Sequence, residues 1–493
     1  MIFSTNFSGN RYFLAYCLFA AVLSGCAVAP LTGPRGERVP LPLKIASFGP
    51  DKRSPQAAEM ATVRWKVDAT GGVGKRTFTF ELADGKTETV AQEGSSSLWS
   101  WAPTAPRIYR VKVVARDALG NTVDGGWSPE YRIELTAGLN SLIAVMPVQN
   151  LTGVPVALQA VGRSLVRDLQ RKGLNILGED VLEKFMERHR IRYTGGLNRE
   201  LGEALREETG TNAVLFPTLE LLDDAAPPKT ALFARLVSTH RSAPILWMDG
   251  TGMAGNDAPG LLLLGLINDP TLLWKKAKGR IVESLMMYLS GKSTQDSRKI
   301  EKRFLPKSSH GVPPKVPAGK EALSIAVLPF RNESTRRNAG EVMALHFIRE
   351  LSKTGNIDVV EPGEVRQVLL RSRTIMEGGL SLPQADILRA ALNVDLVLTG
   401  IVVEYQDNIG GFGKPRAEFS VRVFDMKTRQ IVWSSSSYNE GDDGVFFFGL
   451  GKVNTAHGVA SEMVRSTVGK MEGVFRQREG HSASAGAPGP TEQ

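Results

Sequence analysis

The residue types that most often carry out catalysis are few and scattered in this chain. Six histidines occur, at positions 189, 240, 310, 346, 457 and 481. No two of them have the spacing that places two metal ligands on one face of a helix, and no third ligand is near. His346 lies within an apolar helical pattern, which is typical of a core or boundary histidine. The histidines therefore predict no metal site.

Other catalytic patterns are equally weak. The acidic pairs Asp223-Asp224 and Asp442-Asp443 are more typical of solvated turns than of a general acid and base, since adjacent side chains diverge. The sequence has no Gly-x-Ser-x-Gly elbow, no phosphate-binding loop and no dinucleotide fingerprint after a strand. We therefore expect neither a cofactor nor an enzyme, and a hydrolase of cell-wall polymers is the least favoured hypothesis.

The two cysteines, Cys17 and Cys26, both lie at the start of the chain. The remaining sequence can therefore form no disulfide and no thiolate metal site. Cys26 is the residue with the clearest chemistry, because a cysteine thiolate is a strong nucleophile that accepts an acyl or alkyl group. Cys17 has no comparable context.

The residues before Cys26 have the organisation of an export signal. A segment ending in the positive charge of Arg11 is followed by an apolar run, residues 12–22, that is too short to span a bilayer comfortably. The run ends in a box of small residues, Leu23, Ser24 and Gly25. This arrangement resembles the bacterial lipoprotein signal. An ordinary secretory signal with an incidental cysteine is the alternative.

The resemblance implies cleavage before Cys26 and attachment of a diacylglyceryl group and an N-acyl chain, such as palmitate, to that residue. Several acyl chains make membrane attachment effectively stable. By the same resemblance, Ala27 instead of Asp after the cysteine favours the outer membrane, with the body facing the periplasm. Residues 1–25 are thus predicted to be a signal peptide, and the membrane is a predicted partner.

The overall charge does not indicate a nucleic-acid partner. The formal net charge of +9 arises from 60 basic and 51 acidic residues spread along the chain, with a local excess at residues 299–307. Such a run is typical of a solvated linker. A basic surface also has a modest attraction to anionic lipid headgroups. The apolar fraction of 42% indicates a folded protein.

The first folded part is predicted to be a β-sandwich. Residues 26–57 are rich in proline, which is typical of a tether. From residue 58 to 137, short runs alternate in polarity and are separated by glycine turns, for example Val63-Arg-Trp65-Lys-Val67 and Tyr109-Arg-Val111-Lys-Val113. This pattern is similar to bacterial immunoglobulin-like modules. Its tryptophans are more typical of core packing than of a ligand-stacking patch.

The remainder of the chain contains one pattern twice, offset by 182 to 186 residues. Ile143-Ala-Val-Met-Pro147-Val-Gln-Asn150 matches Ile325-Ala-Val-Leu-Pro329-Phe-Arg-Asn332, and Ile245-Leu-Trp247 matches Ile431-Val-Trp433. We call residues 138–291 the first repeat and residues 321–476 the second repeat. Residues 292–320 are predicted to be a linker, and residues 477–493 a disordered tail.

Both repeats begin with an apolar strand, continue through alternating helices and strands, and end with two amphipathic strands and a helix. The prediction is a multidomain α/β (α+β) protein, in which a small N-terminal β-sandwich precedes two tandem α/β sandwich units with mixed sheets.

The second repeat, with Ile325–Asn332, the run Asp395-Leu-Val-Leu-Thr-Gly400 and Ile431–Trp433, resembles the curli production assembly and transport component family. The resemblance implies a non-catalytic lipoprotein that binds envelope or secreted proteins, or supports assembly and secretion at the outer membrane. The alternative that it implies is an oligomeric, ring-forming secretion channel. The strands of residues 230–247 and 415–437 are more typical of soluble strands than of membrane hairpins, so the channel ranks below scaffolding.

Two apolar runs lie at matching positions after acidic turns. They comprise Leu261, Leu262, Leu263 and Leu264 in the first repeat, and Phe446, Phe447 and Phe448 in the second. An exposed run of this kind would mark a contact with protein or membrane. The alternatives are an interface, including one between copies of the chain, and a buried edge or helix start.

Overall fold

A computed structural model describes residues 41–52, 54, 56–58, 62–85, 87–103, 107–134, 137–240, 244–258, 265–292, 300–315, 322–372, 382–407, 413–445 and 451–476. The described chain divides into two compact units. One comprises residues 41–54, 62–101 and 107–132, and the other contains all residues from Ile133 onward, including both repeats.

The N-terminal unit is an antiparallel β-sandwich. One sheet has the order β1-β3-β6, and in the other β4 pairs with β5 and β7, and β7 with β8. Aromatic rings join the sheets, with Phe80 6.0 Å from Trp99 and Trp101 4.8 Å from Tyr109 between ring centroids. The strands are β1 Lys44–Pro50, β2 Gln56–Ala57, β3 Val63–Thr70, β4 Thr77–Ala83, β5 Glu88–Gly94, β6 Leu98–Trp101, β7 Arg107–Arg116, β8 Thr122–Trp127 and β9 Tyr131–Glu134.

The predicted tether is wrong for its C-terminal part, because β1 belongs to the sandwich. It pairs with β3, and the ring of Phe48 lies 5.3 Å from that of Trp65. Prolines flank this strand, and an edge strand tolerates proline because its outer backbone groups pair with no neighbour. Proline content therefore did not distinguish a tether from an edge strand.

The first repeat forms a mixed sheet of order β12-β10-β13-β14-β15, with β11 beside β13. Strands β12, β10 and β13 are parallel, whereas β13, β14 and β15 are antiparallel. The elements are β10 Leu142–Val145, β11 Gln149–Asn150, α1 Leu158–Arg171, β12 Asn175–Ile176, α2 Glu179–Arg188, α3 Arg199–Thr209, β13 Ala213–Asp223, β14 Lys229–Ser238, β15 Ile245–Ala254 and α4 Pro270–Leu289.

The second repeat has the same topology with one strand added, in the order β16-β22-β21-β20-β17-β19. The fold class predicted from the sequence is confirmed: a β-sandwich precedes two α/β units with mixed sheets. The elements are β16 Ser308–Gly311, β17 Leu323–Val327, β18 Arg331–Asn332, α5 Ala339–Leu351, β19 Ile357–Val359, α6 Pro362–Arg371, α7 Leu382–Leu392, β20 Leu396–Gln406, β21 Arg416–Asp425, β22 Gln430–Glu440 and α8 Ala456–Arg476.

Local sequence signals set several helix starts. The Asp269 carboxylate accepts from the Thr271 N–H at 2.8 Å, and Pro270 occupies the first turn of α4, where its missing N–H is tolerated. At the start of α6, the Glu361 carboxylate accepts from the Gly363 N–H and Pro362 occupies the first turn. These caps fix where each helix leaves its sheet.

Helices α5 and α8 are shared between the two repeats. Their side chains pack on the second sheet, and Phe233 and Met248 of the first sheet belong to the same apolar cluster. Helix α5 is accordingly buried at 12 of its 13 positions. The prediction of an amphipathic strand is wrong for β14, which is buried at all ten positions, whereas β21 alternates as predicted. The second repeat covers the face of β14 that the sequence assigned to solvent.

The predicted linker also differs from the structure. A 3-10 turn at Lys302–Phe304 places Phe304 in the core, with 1% of its surface exposed, and β16 pairs with β22. The segment is therefore part of the second repeat's sheet. Among the helices that the structure describes, none combines the length and apolar character needed to cross a membrane.

Candidate functional site

The residues singled out from the sequence lie outside the described residues. These are Leu23, Ser24, Gly25 and Cys26 in the signal box, Leu261, Leu262, Leu263 and Leu264 in the first apolar run, and Phe446, Phe447 and Phe448 in the second. Their roles remain predictions. The turns that precede the two runs are described and are alike, since Asp257 accepts from the Ala254 N–H at 2.8 Å and Asp443 from the Glu440 N–H at 2.9 Å.

The structure instead brings together a buried polar cluster at the junction between the repeats. Glu220 comes from β13, Tyr405 from β20, His346 from α5 and His457 from α8, and Arg336 precedes α5. Glu220 sits at an irregularity of β13, where the pairing with β14 shifts between Leu219 and Leu221. A bulge of this kind redirects a side chain, and here it directs a carboxylate into the second repeat.

Glu220 is the centre of the cluster. Its Oε1 accepts from the Tyr405 hydroxyl at 2.6 Å and from Arg336 at 3.3 Å, and its Oε2 lies 2.6 Å from His457 Nδ1. His346 lies 3.3 Å from the Tyr405 hydroxyl through Nε2. Glu220 and His346 are 0% exposed and His457 2%. The cluster thus joins β13 of the first repeat to three elements of the second.

The electrostatics of the cluster favour an ionised Glu220. Burial acts to raise the pKa of this carboxyl, but His457 and Arg336 outweigh burial and hold the pKa below its usual range. Burial and the neighbouring His457 lower the pKa of His346, so that this ring is neutral at ordinary pH. Burial and the Glu220 charge raise the pKa of Tyr405, so its hydroxyl remains a donor.

A second buried pair lies at the same junction. The Arg235 guanidinium of β14 is 2.7 Å from Glu361 Oε1 and donates to the Gly195 carbonyl at 2.8 Å. Burial raises the pKa of Glu361, and the Arg235 charge opposes that rise. Beside this pair, the backbone of Gly363 comes close to that of Leu197. A Cβ built on Gly363 would lie 2.4 Å from the Leu197 nitrogen. The small residues Gly195 and Gly196, which precede Leu197, therefore accommodate the start of α6.

Glu220, His346 and His457 each offer an atom to a common point, since these atoms lie within 4.8 Å of one another. Two histidines and a carboxylate are a ligand set found around transition metals. Here, however, Glu220 already accepts from Tyr405 and lies against the Arg336 guanidinium, which would repel a cation. The donor set fits a network of hydrogen bonds better than an ion.

No protein-family model and no curated protein matches the sequence. Among solved structures, the chain is similar to a PelC dodecamer from Paraburkholderia phytofirmans, at 16% identity over 33% of this chain and 94% of that chain, with a TM-score of 0.22. It is also similar to lipoprotein GNA1162 from Neisseria meningitidis, at 22% identity over 29% and 99% of the respective chains, with a TM-score of 0.21.

A third similar structure is the LpoB C-terminal domain from Escherichia coli, at 18% identity over 24% of this chain and 84% of that domain, with a TM-score of 0.20. Each of the three similarities covers a third of this chain or less, and one of the three proteins is named as a lipoprotein.

Sequence reasoning missed the cluster, although a signal for it was present. Glu220 and Arg235 are charged residues inside apolar strands, and such residues are rarely buried without a partner. Position 403, the counterpart of Glu220 in the second repeat, holds a valine that is 43% exposed. Comparing the repeats position by position would have shown Glu220 as a charge that only the first repeat carries.

Proposed function

We propose that this chain is an exported, lipid-anchored and non-catalytic protein of the bacterial envelope, whose joined repeats form a platform for binding other envelope or secreted proteins. The signal box ending in Cys26 supports export and anchoring at the outer membrane, with the body in the periplasm. The β-sandwich would act as a spacer between the anchor and the repeats.

The structural observation that supports the platform is that the buried charged side chains of the junction bond from one repeat to the other. Glu220, Arg235 and Glu361 all bond across the junction, and none of them is more than 2% exposed. Such groups hold two elements in one register, because any other arrangement leaves a buried charge unpaired. Their engagement in the junction supports a binding protein over a hydrolase.

The ring-forming secretion channel is the competing proposal. A ring built by repeating the internal junction would need an apolar open face on the second sheet, equivalent to the face that α5 and α8 cover on the first. The counterparts of Phe233 and Met248 on that face are Ser420 and Ser434, both partly exposed. This polar face cannot form a second junction of the same apolar kind. Its character therefore favours the platform over the ring.

Lipidation is tested by metabolic labelling with radioactive palmitate in a bacterial host. We expect the wild-type protein and a Cys17→Ser variant to be labelled and to fractionate with the outer membrane, because Cys17 is removed with the signal. Cys26→Ser should be unlabelled. Recovery of unprocessed wild-type chain from the cytosol, with a free thiol at position 26, would contradict the proposal.

Oligomeric state separates the platform from the channel. Light scattering of the detergent-solubilised, lipidated protein should give the mass of one chain after subtraction of detergent, and planar bilayers containing it should show no conductance. A ring-sized mass together with stepwise conductance would favour the channel instead.

A further inference from the structure

The two repeats use the outer surface of one helix pair differently. Helices α1 and α4 pack on the first sheet in the way that α5 and α8 pack on the second. The first sheet covers the outer surface of α5 and α8, where Phe233 meets the rings of His346 and His457. The equivalent surface of α1 and α4 is exposed, at positions 159, 160, 163, 167, 170 and 171 of α1 and 271, 272, 275, 276, 280, 283 and 287 of α4. We call this surface the outer helix layer.

The outward side of α1 carries cations and no carboxylate. Arg163, Arg167 and Arg171 follow one another at intervals of four residues, so they lie along one side of the helix, and all three are exposed. Lys172, at the C-cap, is exposed as well. Glu179 at the start of α2 approaches Arg163 to 3.4 Å, but the two side chains are 59% and 61% exposed. Water screens such a pair, so it leaves most of the positive field of α1 in place.

Helix α4 extends the basic surface. Lys275, Lys276 and Arg280 are exposed on it. Lys278 points the other way and lies 2.7 Å from Asp168, with 7% of its side chain exposed. This pair joins the two helices and engages the one carboxylate that α1 possesses. The exposed cations therefore lie on two helices that are held side by side.

A count of charges shows that the layer is basic as a whole. Residues 158–172 and 269–289 contain eight basic and three acidic residues, a net charge of +5. Including the neighbouring Glu179 and Asp257 leaves +3. The equivalent residues of the second repeat, 340–354 and 455–475, contain four basic and four acidic residues and have no net charge. The excess of cations therefore belongs to the exposed helix pair and not to the repeat in general.

Individual positions show the same contrast. With the repeats aligned on Arg167-Asp-Leu169 and Arg349-Glu-Leu351, the counterpart of Arg163 is Leu345, which is 6% exposed. With the N-termini of α4 and α8 aligned, the counterpart of Lys276 is Glu462. An apolar residue and an acid of the covered pair are thus cations on the exposed pair. A sheet does not dock on such a surface, whereas a negatively charged one is attracted to it.

The shape and composition of the layer favour a lipid surface. The helices have 14 and 20 residues, which at 1.5 Å per residue gives lengths of about 21 and 30 Å. Their cations are spread along this length. Leu272 is 52% exposed among them. Exposed apolar residues between long cationic side chains are typical of helices that lie at the boundary between headgroups and acyl chains.

We propose that the outer helix layer of α1 and α4 rests on the surface of a bilayer that contains anionic phospholipids. A lipid anchor would keep the layer close to such a surface, so a weak attraction is enough to orient the repeats. The inference rests on the proposed anchoring for its place in the cell. Its test uses protein without the anchor, so a failure here and a failure of lipidation are seen separately.

The probe is vesicles of phosphatidylcholine alone, or of equal parts of phosphatidylcholine and phosphatidylglycerol. The protein is the chain from Ala27 onward, which contains every described residue and carries no lipid. We expect it to sediment with the anionic vesicles and not with the neutral ones. Binding should be lost in about 1 M salt, where the Debye length falls to about 3 Å. Soluble poly-glutamate, which offers carboxylates without a bilayer, should bind more weakly than the anionic vesicles.

Two triple variants with the same net charge provide the control. One replaces exposed cations of the layer, Arg167→Gln, Lys275→Gln and Lys276→Gln, and the other replaces exposed cations of the second repeat, Arg389→Gln, Arg422→Gln and Lys427→Gln. The first should weaken binding to anionic vesicles at least about tenfold, and the second less than about twofold. Thermal melts verify that both variants are folded.

A fluorescent probe locates the contact independently of charge. The chain from Ala27 onward contains no cysteine, so a single introduced thiol can be labelled with an environment-sensitive dye. Leu272→Cys lies in the layer, and Leu370→Cys, at a residue that is 57% exposed on α6, is the matched control. Anionic vesicles should shift the emission of the dye at position 272 to shorter wavelength and leave the dye at position 370 unchanged.

The proposal is overturned if the anionic vesicles do not bind the protein, if the two triple variants weaken binding equally, or if the two dyes respond alike. Tighter binding of poly-glutamate than of the vesicles would also overturn it, because the partner of the layer is then an acidic protein.

Discussion

At the scale of single residues, Glu220 shows how a repeat acquires a specific role. The pairing shifts at Glu220 in β13 and at Val403 in β20, so the two positions are equivalent bulges. The Glu220 side chain points into the junction and has no exposed surface, whereas Val403 is 43% exposed. The same bulge therefore directs a side chain into the junction in the first repeat and toward solvent in the second.

Replacing Glu220 by the residue of the second repeat tests this assignment. Glu220→Val should lower the free energy of unfolding by about 3–5 kcal/mol, because it leaves Arg336 without its carboxylate in a largely buried site. Denaturant titration measures the loss. The control, Val403→Glu, should change stability by less than about 0.5 kcal/mol. A similar effect of both substitutions would show that Glu220 has no special role.

Removing the cation as well refines the test. In the double variant Glu220→Val with Arg336→Met, the unpaired charge is gone, so we expect part of the lost stability to return. If the double variant is as unstable as the sum of the two single variants, the pair does not act as a unit.

His346 should make the stability of the repeats sensitive to mild acid. The groups facing it are His457 on α8, Glu220 on β13, Tyr405 on β20 and the nearby Arg336 and Arg349. Its pKa is lowered in the folded state, so below the ordinary histidine pKa of about 6.5 the unfolded state binds more protons. Stability is therefore full above about pH 6.5 and falls as the pH decreases from there.

The comparison with His346→Phe isolates this contribution. Between pH 6.5 and 5, the wild type should lose stability with a steeper slope than the variant, by up to about 1.4 kcal/mol per pH unit. Urea titrations at a series of pH values give both slopes. Parallel curves would show that His346 is protonated equally in the folded and unfolded states.

At the scale of elements, the junction depends on a close approach of backbones. Helix α6 begins at Pro362, and the loop before α3 contains Leu197, whose carbonyl oxygen and nitrogen lie 2.6 and 2.4 Å from the place that a Gly363 Cβ would take. Only glycine allows the two segments to come this close. The Arg235–Glu361 ion pair lies beside this approach, because Glu361 precedes Gly363 by two residues.

Gly363→Ala should therefore destabilise the protein by about 1–3 kcal/mol or more, since backbone atoms have to move. A thermal melt measures the effect. Gly355→Ala is the matched control, because a Cβ there meets nothing within 4 Å and the residue is exposed. An equal shift in both variants would indicate a general cost of replacing glycine.

At the scale of the whole molecule, the two repeats share one interior. Phe233 of the first sheet lies 4.9 Å from the rings of both His346 and His457, between ring centroids. Helices α5 and α8 are thus covered by a sheet on each side, which explains why α5 lacks a polar face. Neither repeat can lose its partner without exposing a large apolar surface.

We therefore expect the repeats to unfold together. Phe233→Ala should cost about 3–5 kcal/mol and lower the hydrogen-exchange protection of strands β14 and β21 by the same amount. Ser420→Ala, at the equivalent position of the second sheet, should have little effect. Loss of protection confined to the first repeat would show that the repeats are independent domains.

The sequence by itself determined the internal repeat and the order of helices and strands, and it predicts an export signal. These features depend on local patterns: a cysteine after small residues, two matching motifs, and apolar residues at periods of two or about 3.6. The sequence could not settle the roles of the β1 segment and of β16, because short proline-flanked or polar strands resemble linkers until a neighbouring strand is present.

Only the tertiary structure decided which faces are covered. Glu220, His346 and His457 are far apart in the chain, and each by itself is an unremarkable residue in an apolar segment. They become a cluster because the second repeat packs on the first sheet and removes its outer face from water. Burial then turns scattered polar residues into partners, since a charge in the interior is stable only when another group compensates it.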